Sequence, residues 1–456
     1  MELKKATDKK ELRRLAILNE PIFPLLVKTS IPTIIGMLVM VIYNLTDTFF
    51  VGLLNNRSMT AAIGVVFSFV SVIQAIGFWF GYGSGNIMSK KLGEKDDQEA
   101  EIISSIGMLL AIVIGLLIAL LSGVFIEPLA KAIGGSASES LLNFTRIYLK
   151  IIIISVPFSL YATTLYNQLR LCGNVKDGMT GMLFGMMMNV ILDPVLMFGS
   201  KLGFVGAGYA TLIGQIASCI VLTHLSRKNG NIAVTLRKAS LNKERIYHIL
   251  LGGIPNFSRQ MITSFALVLL NRVASCYGES LIAALTISSR IIALAYLIMI
   301  GWGQGFQPIC AMNYGAKQYD RVKKAFKITV IVGTGFLILA AGGLYVFSES
   351  LAMTLSKDKE VIAASVQILR MQCITMPFLG YFVVSSMLMQ NIGQYFWSLL
   401  ISISRQGIFY IPLLYLLTGI YGQFGIYLLQ PVSDICAFVL ALMVLRNYRN
   451  LNRHEE

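Results

Sequence analysis

Three acidic side chains lie in stretches that are otherwise apolar enough for the interior of a membrane. Asp47 stands in YNLTDTFFVG, Asp193 in NVILDPVLMF and Asp434 in LQPVSDICAF. A charged side chain at the centre of a bilayer costs on the order of 3 kcal/mol on insertion scales. These aspartates are therefore candidates for binding an ion or a substrate.

The first two aspartates each follow a polar residue by four positions. Tyr43 and Asp47 share one face of a helix, and so do Asn189 and Asp193. Two carboxylates in a low dielectric disfavour ionisation, so such a group can carry a proton near neutral pH. Their oxygens can also bind a hard cation such as Na+. The alternative is structural: either aspartate caps a broken helix or pairs with an arginine.

Arginines also enter apolar stretches, mainly in the second half of the chain. They are Arg259, Arg290 and Arg405. We predict that Arg290, near the middle of its span, faces the bundle interior and finds a partner, with Asp434 as the candidate. Structural pairing is favoured over contact with a substrate, and an arginine partner is the leading explanation of Asp434.

The composition indicates a polytopic membrane protein. The 456 residues include 55% hydrophobic and 13% charged residues, with a mean hydropathy of +0.70. The apolar blocks approach the ~20 residues that cross a bilayer as a helix. We predict twelve transmembrane helices: 24–52, 61–88, 103–124, 147–169, 179–199, 206–225, 248–272, 281–307, 325–347, 367–390, 396–418 and 424–446. No cleavable signal peptide is expected, since no apolar core precedes residue 22.

We interpret the net charge of +15 as an indication of membrane topology rather than of a nucleic-acid-binding surface. Lys and Arg collect in alternate connections between spans, which predicts a multi-pass cell (inner) membrane protein with both termini in the cytoplasm. The six cysteines show no metal spacing, and the three histidines lie in or next to cytoplasmic segments. We therefore expect no enzyme, no cofactor and no metal centre beyond a Na+ site.

The two halves of the sequence resemble each other around a basic loop at 226–247. Pro32 in SIPTI corresponds to Pro255 in GIPNF, and Gly173 corresponds to Gly393. The pattern predicts two pseudo-symmetric six-helix lobes, with substrate between them and alternating access by rocking. Duplication in a channel or an enzyme is the alternative. The predicted domains are a cytoplasmic segment (1–23), the N-terminal lobe (24–225), the inter-lobe loop (226–247), the C-terminal lobe (248–446) and a cytoplasmic tail (447–456).

Several quoted motifs resemble the multidrug and toxic compound extrusion (MATE) transporters, and within them the MepA-like bacterial branch. They are YNLTDTFFVG, FGYGSGNIMSKKLG, MMMNVILDPVLMFG, GFVGAGYATLIGQ and GWGQGFQPICAMNYGA. The resemblance implies a V-shaped pair of lobes, export by antiport and a cation site in the N-terminal lobe. It assigns cation coupling to Asp47, Asn189, Asp193 and Thr211.

The same resemblance assigns a conformational bend to Pro32, and it matches Tyr43 and Asn167 to a tyrosine and a polar residue of the family's cation lobe. We predict that Met188 and Tyr161 line the cavity of this lobe together with them. Arg290 and Asp434 are secondary candidates, and the role of Asp434 stays open. Methionine-rich and aromatic helix faces suit flat lipophilic cations.

We therefore predict an H+- or Na+-coupled antiporter, a monomer in contact with membrane lipid, that exports lipophilic, cationic small molecules. The alternative is a flippase for a lipid-linked or amphipathic substrate, which would need arginines in the N-terminal lobe.

Overall fold

The computed structural model describes residues 2–200, 202–240 and 242–452, except for the side chains of residues 2–8, 42, 44, 45, 47, 48, 137 and 448–452. The described residues form helices without a strand. The α-helices are α1 (Glu2–Asn19), α2 (Ile22–Gly52), α3 (Arg57–Gly93), α4 (Asp97–Val124), α5 (Ile126–Ala132), α6 (Glu139–Leu171), α7 (Val175–Pro194), α8 (Phe204–Ser226), α9 (Lys243–Ala274), α10 (Glu279–Gly315), α11 (Tyr319–Val346), α12 (Ser348–Leu355), α13 (Lys359–Thr375), α14 (Phe378–Asn391), α15 (Tyr395–Ile403), α16 (Tyr410–Tyr421) and α17 (Gln423–Asn452).

Each predicted span coincides with a helix or with consecutive helices. Within the described residues, ten helical segments are long and apolar enough to cross a membrane, and α13 with α14, bent by 57°, makes an eleventh. The predicted all-α polytopic membrane protein is confirmed, but this criterion gives ten or eleven spans instead of twelve. The exception is α9, because Asn256, Arg259 and Gln260 lower the hydropathy of its central turns.

Local sequence sets where several helices begin. The Asn56 side chain accepts a hydrogen bond from the Ser58 backbone N–H at 3.0 Å and so caps α3. The Ser138 hydroxyl accepts from the backbone N–H of Leu141 at 3.1 Å and caps α6. Such caps satisfy backbone donors that have no partner within the helix, and each contributes about 1 kcal/mol.

The helices pack into two compact units that do not follow a single cut in the chain. The N-terminal unit comprises Met1–Glu20, Ile35–Gly253 and Ala311–Lys317. The C-terminal unit comprises Pro21–Ile34, Ile254–Cys310 and Gln318–Glu456. Helix α2 therefore contributes to both units. The boundaries of the two predicted lobes stay a prediction.

Each unit is built around its own apolar core. In the N-terminal unit, buried side chains of α3 and α6 pack together, among them Val66, Leu149 and Val156. In the C-terminal unit the core joins α9, α10, α13, α16 and α17, and it includes Leu270 and Leu285. Between membrane-spanning helices, such cores are stabilised mainly by van der Waals packing, because lipid tails are as apolar as these side chains.

The internal repeat recurs in the backbone conformation. Gly203, before α8, and Gly422, before α17, share φ 56° and ψ −133°. Gly173 and Gly393 both have positive φ, at 84° and 90°. Few residues adopt a backbone with positive φ. Such a backbone at matching places in both halves is therefore stronger evidence for a structural repeat than a similar hydropathy profile. The two halves thus fold with the same turns.

Candidate functional site

Helices α7 and α8 approach closely in the N-terminal unit because glycines face each other. A Cβ on Gly185 would lie 2.5 Å from the Gly214 carbonyl oxygen and closer still to the Ser218 hydroxyl. A Cβ on Gly214 would in turn lie 2.7 Å from the Gly185 carbonyl oxygen. The absence of side chains at both positions allows the helix backbones to touch, which brings Asn189 of α7 beside Thr211 of α8.

Asn189 and Thr211 form the polar centre of this contact. The Asn189 side-chain amide Nδ2 donates to the Thr211 hydroxyl at 3.2 Å, and Asn189 is only 2% exposed. The Asn189 Oδ1 is buried, and among the described residues it has no hydrogen-bond partner. A buried polar atom without a partner costs about 1–3 kcal/mol of folding free energy. This oxygen is therefore available to coordinate a cation or to accept a hydrogen bond.

Asp193 lies one turn beyond Asn189 on α7 and is fully buried, with 0% exposure. Pro194 follows, and the helix widens into a π-helical segment at Val195–Gly199. Such π-helical turns occur frequently at functional sites. The structure therefore keeps Asn189, Thr211 and Asp193, three of the four residues assigned to cation coupling, at one end of the α7–α8 pair.

The fourth assigned residue, Asp47, has a side chain that lies outside the described residues. Its backbone belongs to α2, and Tyr43, four residues earlier, borders the cavity that also reaches Asn189. The predicted proximity of Asp47 and Asp193 stays a prediction.

The cavity has a volume of about 120 Å³. Tyr43, Asn189 and Thr211 line it, together with a polar stripe of α6 formed by Ser155, Ser159 and Thr163. Drug-sized ligands occupy pockets of roughly 300–1,000 Å³, so this conformation has room for ions and water rather than for a drug.

Sequence reasoning missed several lining residues. The α6 stripe has helical spacing in the sequence, and so do Phe67, Val70 and Gln74 of α3, which also line the cavity. That spacing alone could have indicated one face, although not which cavity the face meets.

The three remaining cavity candidates are not among the described lining residues. The Asn167 side chain donates to the Thr163 carbonyl oxygen at 2.8 Å and accepts from Arg170 at 3.2 Å. The Tyr161 hydroxyl lies 2.8 Å from the Thr223 hydroxyl. Met188 is partly buried and sits about 100° around α7 from Asn189, away from the cavity face.

The turn of α2 before Pro32 is held against α10 within the C-terminal unit. The Thr29 hydroxyl donates to the Gly305 carbonyl oxygen at 2.9 Å, and the Ser30 hydroxyl donates to that of Trp302 at 3.1 Å. The division between the two units falls between Ile34 and Ile35, just after Pro32. Because proline removes one helical hydrogen bond, this position is suited to a bend.

The C-terminal unit holds a buried ion pair, and its basic partner differs from the predicted one. The Arg405 Nε donates to Asp434 Oδ1 at 2.7 Å, and the Arg405 guanidinium lies 5.1 Å from the centre of the Tyr296 ring. Gln430 also donates to Asp434 Oδ1, at 2.6 Å. The predicted pairing of Arg290 with Asp434 is wrong, because α17 packs against the π-helical segment Ser404–Ile408, which carries Arg405.

Arg290 is exposed, and it makes no ion pair with a described residue. That it faces the bundle interior stays a prediction. Within the described residues, the structure also contains no group of three His, Cys, Asp or Glu side chains arranged to hold a metal ion.

Comparison with known proteins agrees with the fold and the repeat. The MatE family model matches the chain twice, at residues 32–195 and 255–416. The multidrug export protein MepA of Staphylococcus haemolyticus is 30% identical over 94% of this chain and 94% of its own length. MepA of Staphylococcus aureus strain NCTC 8325 is 29% identical over 93% of this chain and 94% of its own length.

A solved outward-facing structure of a multidrug resistance MATE family transporter superposes with a TM-score of 0.87. It is 22% identical and covers 95% of this chain and 97% of its own. The chain therefore belongs to the MatE family and is a MepA-like MATE transporter, not an enzyme.

Proposed function

We propose that this chain exports drugs or toxic metabolites from the cytoplasm in exchange for H+ or Na+. The observation that carries this proposal is the buried Asn189 amide oxygen, which has no hydrogen-bond partner among the described residues. The Asn189 residue lines a cavity together with Thr211 and lies one helical turn from the buried Asp193. Oxygen ligands of this kind suit a hard cation, and a buried carboxylate suits a proton. The name of the MepA relatives, multidrug export protein, supports the cargo class.

Exchange follows from competition between two ligands. In the outward-open state a proton or Na+ binds at Asp47 and Asp193, and their neutralisation weakens the hold on a cationic drug. Helix α2 bends near Pro32, the drug leaves, and the ion is released after the lobes rock inward. Such exchange requires only that ion and drug favour opposite conformations or exclude each other.

The lining of the cavity supports lipophilic cations as cargo. Met40, Met182 and Met186 border it beside the aromatic rings of Tyr43 and Tyr148. Thioethers adapt to different shapes, and aromatic faces attract cations. At about 120 Å³ the cavity must widen before it accepts a drug, which is consistent with cargo binding in another state of the cycle.

The same proposal places the chain in the cell membrane as a monomer, with both termini in the cytoplasm. The Lys and Arg residues of the basic loop at 226–247 and of α1 support this orientation through the excess of positive charge in cytoplasmic segments.

The test is efflux of a fluorescent lipophilic cation from proteoliposomes under an imposed H+ or Na+ gradient. Wild type should export the dye under one gradient, and Asp193→Asn should lose that gradient dependence. Asp320→Asn is the matched control, since it makes the same charge change at a side chain that is 99% exposed.

If wild type moves no cation under either gradient, the drug-exporter proposal fails. If Asp193→Asn transports as wild type does, export stands and coupling must lie elsewhere.

A further inference from the structure

Among the described residues, three methionines line the cavity of the N-terminal unit. They are Met40 of α2 and Met182 and Met186 of α7. Met182 and Met186 are four residues apart, and Asn189 follows three residues later, so all three share one face of α7. Each methionine is half-buried, so part of its side chain is open at the cavity wall.

Close packing of α2 against α7 brings these methionines to a similar depth. A Cβ on Gly36 would overlap the Met179 side chain, so the two helices touch at this level. In the predicted topology both helices run in the same direction, because they are the first and the fifth span. At a rise of about 1.5 Å per residue, Met40 lies about 6 Å beyond Gly36. Met182 and Met186 lie about 4.5 and about 10.5 Å beyond the same contact, so Met40 stands between them.

The surroundings of these sulfur atoms also suit a cation. The Gln74 side-chain amide Nε2 lies 3.9 Å from Met40 Sδ, and Gln74 lines the same cavity, which places this sulfur at the cavity wall. The aromatic rings of Tyr43 and Tyr148 border the cavity as well. Aromatic faces attract cations, and the attraction is larger where water is excluded.

The thioether of methionine is a soft, polarisable and uncharged ligand. Such ligands select Cu+ over hard cations, and Ag+ shares this preference because both are monovalent ions with a filled d shell. The cavity of about 120 Å³ has room for an ion, whereas pockets for drug-sized ligands begin at roughly 300 Å³. The side-chain oxygen of Asn189, one helical turn from Met186, instead suits a hard cation.

We propose that Met40, Met182 and Met186 form a binding site for a soft monovalent cation, Cu+ in the cell with Ag+ as its redox-inert analogue. The three sulfur atoms supply the ligands, and the two tyrosine rings add cation–π attraction. This site goes beyond the proposed function, because it binds a different class of ion from the oxygen site at Asn189 and Asp193. Its occupation requires neither an ion gradient nor drug export.

The test follows the methionine methyl groups of the full-length protein in detergent micelles by NMR, after labelling them with carbon-13. Accessible cysteines are first alkylated with N-ethylmaleimide, because thiolates also bind soft metals. Titration with silver nitrate in chloride-free buffer should shift the methyl resonances of Met40, Met182 and Met186 together. Single leucine substitutions, which nearly conserve the side-chain volume, assign the resonances. Sodium nitrate at the same concentrations should shift none of the three.

Met186→Leu removes one ligand and should raise Kd for Ag+ about 10-fold or more, read from the resonances of Met40 and Met182. Met40→Leu removes a ligand from the other helix and should raise Kd to a similar extent. Met187→Leu is the matched control, because it removes the thioether from the next residue of α7, whose side chain is 59% exposed. This control should leave Kd unchanged.

Three results would overturn the proposal. A shift of the Met187 resonance at the same Ag+ concentration would show unselective binding to thioethers. An unchanged Kd in Met186→Leu would show that this sulfur is not a ligand. Shifts of equal size with Na+ would assign the response to the oxygen site beside Asn189. Because binding is measured without an ion gradient, each of these results refutes this inference alone, and absence of gradient-driven dye efflux refutes only coupled drug export.

Discussion

Removing one partner of the Arg405–Asp434 pair should destabilise the protein far more than removing both charges. The two side chains are 12% and 2% exposed, and the pair is joined at 2.7 Å. Among the described side chains, those that still donate to the buried Asp434 in Arg405→Met are the neutral Gln430 and Thr375, at 2.6 and 3.3 Å. Leaving a buried charge without its partner costs about 3–5 kcal/mol, a large fraction of a typical folding free energy.

The double variant Arg405→Met with Asp434→Asn should recover most of that loss. The asparagine side chain would be neutral, and its oxygen could still accept the hydrogen bond from Gln430. Replacing a buried ion pair by neutral groups of similar size is often neutral in free energy. The free energies of unfolding of wild type, both single variants and the double variant form a thermodynamic cycle, with an expected interaction energy of about 3 kcal/mol.

Circular dichroism during unfolding in mixed detergent micelles measures this cycle. The reasoning is refuted if the destabilisation of the double variant equals the sum of the two single effects, because the pair would then contribute no coupling. Because we place ion coupling in the N-terminal unit, the double variant should also retain gradient-driven efflux. Loss of gradient dependence in a folded double variant would instead return Asp434 to the coupling site.

Three further variants test the N-terminal site and its turns. Gly185→Ala should cost about 1–3 kcal/mol in unfolding free energy and reduce coupled efflux, because its Cβ would push against the Gly214 carbonyl oxygen. Thr211→Val should cost about 1 kcal/mol and weaken ion binding, measured as a higher ion concentration for half-maximal efflux, because it removes the hydroxyl beside Asn189. Gly203→Ala should cost about 1–3 kcal/mol in unfolding free energy, because φ 56° with ψ −133° is strained for alanine.

Each of these variants has a matched control in the same protein. Gly335→Ala and Gly199→Ala add a Cβ where no atom lies within 4 Å. They should not lower the free energy of unfolding, and Gly335→Ala should raise it by about 0.5–1 kcal/mol because alanine favours the helix. Thr180→Val removes an exposed hydroxyl from α7 and should leave the ion dependence unchanged. Equal effects of a variant and its control would contradict the corresponding local explanation.

Sequence alone determined the class of protein and the arrangement within single helices. Asn189 and Asp193 are four residues apart, and the helical period places them on one face without any knowledge of neighbouring helices. Long apolar blocks predicted the spans for the same reason, since a bilayer sets the length of a helix. The duplication was also readable, and the matching backbones of Gly203 and Gly422 agree with it.

Only the tertiary structure decided which helix faces meet. Hydropathy could not tell whether Arg290 or Arg405 reaches Asp434, because helical spacing says nothing about the partner across an interface. It also could not predict that Gly185 and Gly214 bring Asn189 against Thr211, or that Tyr161 bonds Thr223 instead of lining the cavity. Helix periodicity is a local property, whereas a binding site depends on close contacts between helices that are distant in the sequence.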